Sequence, residues 1–427
     1  MALSRKEMNS EPATGVTPDR RRSPSKAQHR ILYAVGPGDV VGLYRDLLEG
    51  REPPFQMGMA FSRQFLDWCD ESGAQAHLMS WHARRDSLQV GPHRVENRPK
   101  SSLYFARGIR HHIGALLYGL TVVAQALRDR ATVVVVDSGT THWLALSLLW
   151  LLRIPVIAVL YSALWPAGFP PSRFPGRLFA RILLASDGLF FRRIAAATVC
   201  ISPECERQVR QVAGTPTGPI HQFCPQYRQD FMSRVVAVPD HGVRPFRVLF
   251  LGRIEEFKGV YLILSMAERL EKELPGQFVW KIVGSGPASE ALGRRIVERK
   301  LGTIVEACGQ LRDERQALET MGWAHAMVAP TTSQFQEGLA MTAVEAVLAG
   351  RPVVLSAVVP AWEVLGGAAI KVETDNVDSF VETFRRLALD RAYYDACRSA
   401  AATVRAPFYD RSQGLGNVLG RAISALD

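Results

Sequence analysis

The sequence is poor in cysteine, and its cysteines are not spaced like the ligands of a metal site. Six cysteines are scattered through 427 residues, and none forms a Cys-x-x-Cys pair. This spacing argues against a zinc site and against the small secreted domains that depend on several disulfides. We therefore expect a protein of a reducing compartment, the cytoplasm, with no structural metal.

Long uninterrupted apolar runs are also missing. The first 30 residues have no apolar core of the kind that a secretory signal requires. The longest apolar stretch, Trp143 to Tyr161, contains Arg153 and Pro155 in its middle. A membrane-spanning helix needs about 20 largely uninterrupted apolar residues. We predict instead a buried helix (143–152), a tight turn and a buried strand (155–160).

Basic residues are concentrated at the start of the chain. The first 30 residues hold seven Lys or Arg and three acids, which accounts for +4 of the formal net charge of +10. Together with the Ser and Pro content, this predicts a disordered tail. The cluster Arg20 to Arg22 could touch an anionic membrane or nucleic acid. We interpret it as part of a solvated tail and predict no nucleic-acid partner.

The chain is long for one hydrophobic core, and two domains of roughly 200 residues are expected. Apolar runs of strand length alternate with helical patterns, which indicates parallel sheets. We predict the α/β class, with two Rossmann-like domains facing each other across a cleft. The predicted segments are a disordered basic tail (1–29), an N-terminal Rossmann-like domain (30–213), an interdomain linker rich in Pro and Gly (214–245), a C-terminal Rossmann-like domain (246–405) and a C-terminal helix that could cross back to the N-terminal domain (406–427).

The most informative stretch is a predicted strand-loop-helix unit at Phe335–Gly350. Glu337 and Glu345 are eight residues apart, which on a helix separates them by about 12 Å and about 80°. They could hold the two ends of an extended ligand. The charged middle of such a ligand would meet free N–H groups near Gly338 and Leu339. The alternative is an ordinary amphipathic helix with a capping glutamate.

Three glycine-containing loops follow predicted strands. The loop Gly252–Gly259 places Arg253 and Lys258 at a strand-to-helix turn, and this pair of cations suits a diphosphate. Two surface cations are the alternative. The turns at Gly284–Pro287 and Gly36–Asp39 let backbone approach a ligand closely, but each is a weak signal alone.

Taken in order, these motifs resemble a known family. The order is G-R-x(4)-K-G, then V-G-S-G-P, then E-G-L-A-M-T-A-V-E-A-V-L-A-G-R-P-V-V. It resembles the donor half of the retaining glycosyltransferases of family 4, the bacterial-type glycosyl transferases group 1, which have the two-domain GT-B fold. The resemblance covers about residues 246–390. It implies transfer of a sugar from a nucleotide-diphosphate-sugar donor to a glycan, lipid-linked or small-molecule acceptor bound on the N-terminal side, with no cofactor.

The resemblance also implies roles for individual residues. The implied contacts are Arg253, Lys258, Gly36, Gly38, Gly338 and Leu339 for the donor diphosphate, Gly284 and Gly286 for the nucleotide loop, Glu345 for the ribose, and Glu337 and His142 for catalysis beside the donor sugar. His142 follows the predicted strand at 133–136, where relatives often carry a histidine. A capping or surface histidine is the alternative at that position.

The chain departs from the family pattern at three places. Relatives often have a Gly-Gly-Ala-like loop at 36–39, a histidine at Tyr161 and a Gly-Gly-x-x-Glu segment at 358–363, none of which is present here. These departures leave the donor base and sugar open. No Asp-x-Asp motif stands near the donor loops, which favours a metal-free site.

The stretch 171–193 is both basic and apolar, with Arg173, Arg177 and Arg181 at i, i+4 spacing. Such a face suits peripheral attachment to the inner side of an anionic membrane, and with it a lipid-linked acceptor. The alternative is an amphipathic helix whose arginine stems cover the domain surface.

Two functions other than sugar transfer stay open at this point. One is a catalytically inactive GT-B-fold binding or scaffold protein. The other is a nucleotide-sugar enzyme that transfers to no acceptor, such as an epimerase. The joint presence of Arg253, Lys258, Glu337 and Glu345 favours the transferase.

Overall fold

The computed structural model describes residues 29–51, 58–165 and 176–426. The predicted tail therefore lies outside the described residues, apart from His29. Two separate sheets organise the rest, one of eight strands and one of six. This confirms the predicted α/β class with two domains.

The N-terminal domain is built from residues 30–232. Its strands and helices, in chain order, are β1 (Arg30–Pro37), α1 (Val40–Leu48), α2 (Phe61–Ser72), β2 (Gln75–Trp81), β3 (Asp86–Val90), β4 (His93–Arg98), α3 (Ile109–Arg128), β5 (Val133–Asp137), α4 (Ser147–Leu151), β6 (Val156–Leu160), α5 (Gly176–Arg193), β7 (Ala195–Cys200), α6 (Pro203–Ala213), β8 (Ile220–Gln222) and α7 (Gln229–Met232). The sheet order is β3-β4-β2-β1-β5-β6-β7-β8, with β3 antiparallel to β4 and every other pair parallel.

The C-terminal domain follows from residue 246. Its elements are β9 (Phe246–Leu251), α8 (Val260–Glu273), β10 (Phe278–Val283), α9 (Ser289–Glu298), β11 (Val305–Gly309), α10 (Glu314–Trp323), β12 (Ala326–Ala329), α11 (Met341–Leu348), β13 (Val353–Ser356), α12 (Ala361–Leu365), β14 (Ala369–Val372), α13 (Val377–Leu389), α14 (Arg391–Thr403) and α15 (Leu415–Ser424). The sheet order is β11-β10-β9-β12-β13-β14, and all its pairs are parallel.

Local sequence explains the central elements. The run Val133–Asp137 is wholly buried because β5 lies in the middle of its sheet, between β1 and β6. Such a strand is covered on both faces, and β-branched side chains pack well there. At the start of α10, the Asp313 side chain accepts a hydrogen bond from the N–H of Gln316, as expected of an N-cap.

The segment 214–245 differs from the linker predicted from its prolines. Residues 220–222 form β8, which pairs with β7 and belongs to the N-terminal sheet. The antiparallel β3, which pairs with β4, was not predicted either. Both are short edge strands, and their sequences lack the apolar runs that revealed the central strands.

Two features join the domains outside the sheets. Helix α15 packs on α2 of the N-terminal domain, where a Cβ on Gly416 would lie 2.0 Å from the carbonyl oxygen of Gln64. Arg207 on α6 donates two hydrogen bonds of 2.6 Å to the Glu363 carboxylate on α12. Within the described ranges, no helix has the length and hydropathy needed to cross a bilayer.

Candidate active site

Two cavities lie along the cleft between the domains. The larger, of about 560 Å³, is lined from the N-terminal domain by the end of β1 and the loop after it, and from the C-terminal domain by Met341 and Glu345. The smaller, of about 300 Å³, is lined mainly by loops that follow strands of the C-terminal sheet. Tyr161 and Met341 line both cavities, which makes them neighbours along one cleft.

Lys258 and Glu337 form an ion pair in the smaller cavity. The Lys258 ammonium donates to Oε1 of Glu337, and Thr331 Oγ1 donates to the same oxygen at 2.9 Å. Glu337 is 7% exposed, and these two partners satisfy its buried carboxylate oxygen. The structure thus brings together two residues that are 79 positions apart and that the motifs predicted to share a site.

Backbone N–H groups supply a second charged element of this cavity. The five consecutive N–H groups of residues 338–342 have no hydrogen-bond acceptor among the described residues. Ala340 holds a φ of 70°, which residues with a Cβ rarely adopt, and α11 begins at the next residue. Free N–H groups at a helix start attract anions. Gly338 and Leu339, which the sequence predicts to bind an anion, therefore belong to a longer row of free N–H groups that ends at Thr342.

Gly338 also sets the distance between the domains. A Cβ there would lie 2.0 Å from the carbonyl oxygen of Tyr161 at the end of β6. Only glycine lets the two backbones approach this closely. The predicted anion site therefore lies at the contact between the domains.

Arg253 lines the same cavity but keeps its side chain largely in solvent. It pairs with Glu255 at 2.6 Å and remains 65% exposed. The loop that carries Arg253 packs against the predicted nucleotide loop at Gly284–Pro287. A Cβ on Gly284 would lie 1.8 Å from the Gly252 carbonyl oxygen, and one on Gly286 would lie 2.4 Å from that of Ile254. These two glycines line neither cavity and act here as a close-packed support for the cationic loop.

Glu345 is buried in α11 and lines the larger cavity. Burial raises the pKa of its carboxyl to about 7. Glu337 lies four residues before α11 begins, so the separation of about 12 Å predicted for two residues on one helix does not apply. The two carboxylates face different parts of the cleft, with Met341 between them.

Gly36 and Gly38 line the larger cavity, yet their N–H groups already have acceptors. Gly36 N–H donates to Oδ2 of Asp137 at 2.9 Å, and Gly38 N–H donates to the Trp81 carbonyl at 3.0 Å. Strand β1 continues through Gly36, so the loop is shorter than predicted. Their N–H groups are therefore not free to donate to a ligand in this structure, and the diphosphate contact predicted for these two glycines stays a prediction.

Asp137, Tyr33 and Tyr161 form a polar cluster that the sequence analysis did not assign. Asp137 is 4% exposed, and its Oδ1 has no hydrogen-bond partner among the described residues. Burial raises the pKa of its carboxyl to about 7. The hydroxyls of Tyr33 and Tyr161 are 2.6 Å apart, and all three residues line the larger cavity. A carboxyl group with such a pKa can exchange a proton with a bound hydroxyl near pH 7. The sequence feature that could have indicated this cluster is an aspartate at the end of a predicted central strand.

His142 lies away from both cavities. Its Nε2 is 2.9 Å from Nδ1 of His112 on α3, and the two rings stack. Burial, with a smaller contribution from the neighbouring His112, lowers the pKa of His142 to about 4, so the ring is neutral at pH 7. The structure does not bring His142 to the other predicted residues, and the position after β6 is filled by Tyr161.

The C-terminal side of the cleft therefore presents groups whose charge suits an anionic ligand. It offers Arg253 and Lys258 as cations and a row of free N–H groups between them and the neighbouring domain. Donors fixed in advance stabilise a departing negative charge because they need no reorganisation when the charge develops.

Comparison with known structures identifies the architecture. An Anabaena HepE structure in complex with UDP shares 15% identity, a TM-score of 0.63, and coverage of 93% of this chain and 100% of its own. Sucrose-phosphate synthase from Thermosynechococcus elongatus shares 16% identity, a TM-score of 0.65, and coverage of 93% and 99%. α,α-Trehalose 6-phosphate synthase from Burkholderia multivorans shares 13% identity, a TM-score of 0.69, and coverage of 93% and 97%. The fold is GT-B.

The sequence comparison places the family signal in the C-terminal half of the GT-B fold. Residues 245–390 match the family model described as Glycosyl transferases group 1. This confirms the predicted resemblance to the glycosyl transferases group 1 over nearly the predicted range of 246–390. No curated protein matches the chain by sequence. The N-terminal half of the GT-B fold is therefore recognised by structure alone.

Proposed function

We propose that the protein is a retaining glycosyltransferase that moves a sugar from a nucleotide-diphosphate-sugar donor to a glycan, lipid-linked or small-molecule acceptor without a metal. The observation that carries this proposal is the smaller cavity. There Lys258, Arg253 and the free N–H groups of residues 338–342 converge beside Glu337.

The donor would lie along the cleft with its diphosphate at these groups. The charge that develops on the leaving diphosphate is met by Lys258 as a point charge and Arg253 as a planar donor. The Arg253 side chain is exposed enough to swing onto a ligand. The HepE structures that contain UDP, and UDP with glucose, support a uridine nucleotide as the first donor to test.

The acceptor would enter the larger cavity from the N-terminal side. Asp137 stands there with a carboxyl group whose pKa burial raises to about 7. It could receive the proton that an acceptor hydroxyl loses on transfer. Glu345 would hold the ribose from the other wall of this cavity, as the resemblance to family 4 implies.

The test uses the full-length protein and a panel of nucleotide sugars. A donor should raise the melting temperature, and nucleoside diphosphate should be released in its presence. Lys258→Ala should lower this release at saturating donor at least about 100-fold, since a preorganised group on the leaving charge is lost. Stabilisation by no donor would overturn the proposal in favour of a scaffold.

Lys272→Ala is the matched control. Lys272 also pairs with a glutamate, at 2.9 Å from Glu268, but on the outer side of the domain. Its removal should leave release unchanged. Retention is checked by the anomeric configuration of the product in NMR, and metal independence by turnover in a chelator. Interconversion of the donor sugar without transfer would indicate an epimerase instead.

A further inference from the structure

The outward side of the N-terminal domain carries most of the exposed apolar side chains. Of the 21 large hydrophobic residues that are exposed among the described residues, 16 lie in 105–152 or 178–189. Ile109 is 71% exposed, Leu151 66% and Ile182 57%. Soluble proteins rarely present so many large apolar residues together without a partner.

These residues form one continuous face, because the helices that carry them are neighbours. Helix α3 packs against the turn at 141–146, where Thr141 Oγ1 donates to the Ala115 carbonyl at 2.7 Å. Helix α5 packs on the other side of the same turn, with Trp143 stacked on Phe190. His112 and Phe179 also bring α3 and α5 into direct contact. We call α3, residues 143–153 and α5, with residues 105–108, the apolar helical face.

The outer stripe of α3 shows that this exposure follows the helix period. Ile109, Ile113, Leu117 and Leu120 recur at three- or four-residue spacing and are all exposed. The inner positions, such as Val122, are buried. The helix is thus apolar on both sides, although only one side contacts the sheet.

Positive charge frames the apolar helical face. It contains eight exposed arginines, Arg107, Arg110, Arg128, Arg153, Arg177, Arg181, Arg192 and Arg193. Within the described residues none of them has an acidic side chain in ion-pairing distance. Asp187 is the single acid of the face, and burial raises its pKa to about 7. The arginines lie towards both ends of α3 and α5, and the apolar residues lie between them.

We propose that the apolar helical face docks on the surface of an anionic lipid bilayer. An apolar centre with a cationic frame inserts between headgroups and attracts anionic lipids at the same time. A second copy of this chain fits less well. A symmetric dimer through this face would place its eight arginines opposite eight more.

The biological meaning of the docking rests on the proposed function. Given that function, docking on a membrane favours a lipid-linked acceptor. Asp137 lines the larger cavity, and Leu144, only seven residues later, belongs to the apolar helical face. The loop 138–142 therefore joins the acceptor cavity to the docked surface. A lipid-linked acceptor would reach the cavity without leaving the membrane.

Vesicle binding tests the docking without requiring turnover. The full-length protein should co-sediment with phosphatidylglycerol-rich vesicles, less with phosphatidylcholine vesicles, and less at high salt. Arg177→Gln with Arg181→Gln should weaken binding about 30-fold, since each basic residue near the surface contributes about a fivefold factor. Ile109→Ser with Leu151→Ser and Ile182→Ser should weaken it at least about tenfold.

Matched controls come from the C-terminal domain. Arg269→Gln with Arg294→Gln removes the same charge, and Val297→Ser with Leu389→Ser removes exposed apolar residues elsewhere. These variants should bind vesicles like the parent. Equal loss in the controls, no binding to anionic vesicles, or a dimer in light scattering that the apolar triple variant dissociates would each overturn the docking. Donor-dependent release of nucleoside diphosphate in detergent-free buffer reports on the proposed function separately.

Discussion

Helix α3 of the N-terminal domain and helices α8 to α10 of the C-terminal domain present different kinds of outer surface to solvent. In the C-terminal domain, α8, α9 and α10 carry ion pairs at i, i+4 spacing. These pairs are Arg269–Glu273, Lys272–Glu268, Arg294–Glu290 and Arg315–Glu319. In the N-terminal domain, α3 turns Ile109, Ile113 and Leu120 outward and its terminal arginines have no acidic partner among the described residues.

This difference distinguishes the apolar helix faces that the fold requires from those that it does not require. A parallel sheet needs only the inner faces of its covering helices to be apolar. Both domains meet that requirement, so the outward face of α3 is not explained by folding. The proposed docking on a lipid bilayer would give this outward face a role.

The same contrast appears inside the cleft. In the smaller cavity, Lys258 of the C-terminal wall is paired with Glu337. The N-terminal wall holds Asp137 with one oxygen unpartnered among the described residues. The first arrangement suits a fixed anion site and the second a group that gains and loses a proton.

The largest expected effect is on the glycine packing that holds the C-terminal loops. Gly259 has a φ of 76°, and a Cβ there would lie 1.9 Å from the Pro330 carbonyl oxygen. Gly259→Ala should lower the free energy of unfolding by about 2–5 kcal/mol, from both backbone strain and overpacking. Gly276→Ala has a similar φ of 69° but open space around it, and should cost about 1 kcal/mol. Equal losses of unfolding free energy for the two variants, measured in urea, would show that the loop around Gly259 shifts to accommodate the added Cβ.

The second largest expected effect is on the ion pair between Lys258 and Glu337. Glu337→Gln leaves Lys258 without its carboxylate partner and should lower nucleoside diphosphate release about 100-fold. Glu306→Gln removes an exposed partner of Lys281 in the same domain and should leave release unchanged. Full activity of Glu337→Gln would show that the pair is structural.

The unpaired acids predict a pH dependence of stability. Burial raises the pKa of Asp137 from 3.8, and that of Glu345 from 4.5, to about 7 in the folded protein. Protonated, they favour the folded state; this contribution is complete below about pH 4 and is lost as pH rises through 7. The melting temperature should therefore fall between pH 5 and pH 8.

Variants assign that pH dependence to its groups. Asp137→Asn and Glu345→Gln should each flatten the fall. Asp86→Asn is the control, because Arg45 holds the pKa of Asp86 below its usual value and its contribution changes only at lower pH. An unchanged slope in both cleft variants would contradict the assignment.

The smallest effects concern the outer surfaces themselves. Leu151→Ser on the apolar helical face and Arg269→Ala on α8 should each change the free energy of unfolding by no more than about 0.5 kcal/mol. Chemical unfolding of both variants checks this. A cost of several kcal/mol for Leu151→Ser would mean that the side chain belongs to the core, and the comparison of the two surfaces would fail.

Sequence predicted the C-terminal side of the cleft better than the N-terminal side. The cationic loop, Glu337 and Glu345 stand on short motifs whose geometry is set by nearby residues. Even there, the helix begins later than predicted because Ala340 has a positive φ. No pattern in the sequence indicates this backbone conformation.

The N-terminal site depends on contacts between distant residues. Tyr33 and Tyr161 meet across 128 positions, and Asp137 joins them only because β5 lies between β1 and β6. The apolar helical face was predicted only in part, from 171–193, of which 171–175 lies outside the described residues. The stretch 143–152 was predicted to be a buried helix, but Leu148, Trp150 and Leu151 are exposed, because an apolar sequence does not state which of its sides the sheet covers.

The glycines of α15 have a consequence for motion in the cleft. Gly416 and Gly420 let this helix lie directly on α2, so the chain crosses between the domains twice, once before β9 and once after α14. Two bodies joined at two points can rotate about the line through those points, but they resist twisting about any other axis. We therefore expect any opening of the cleft to be a hinge motion about that line, starting from the contact between Gly338 and Tyr161.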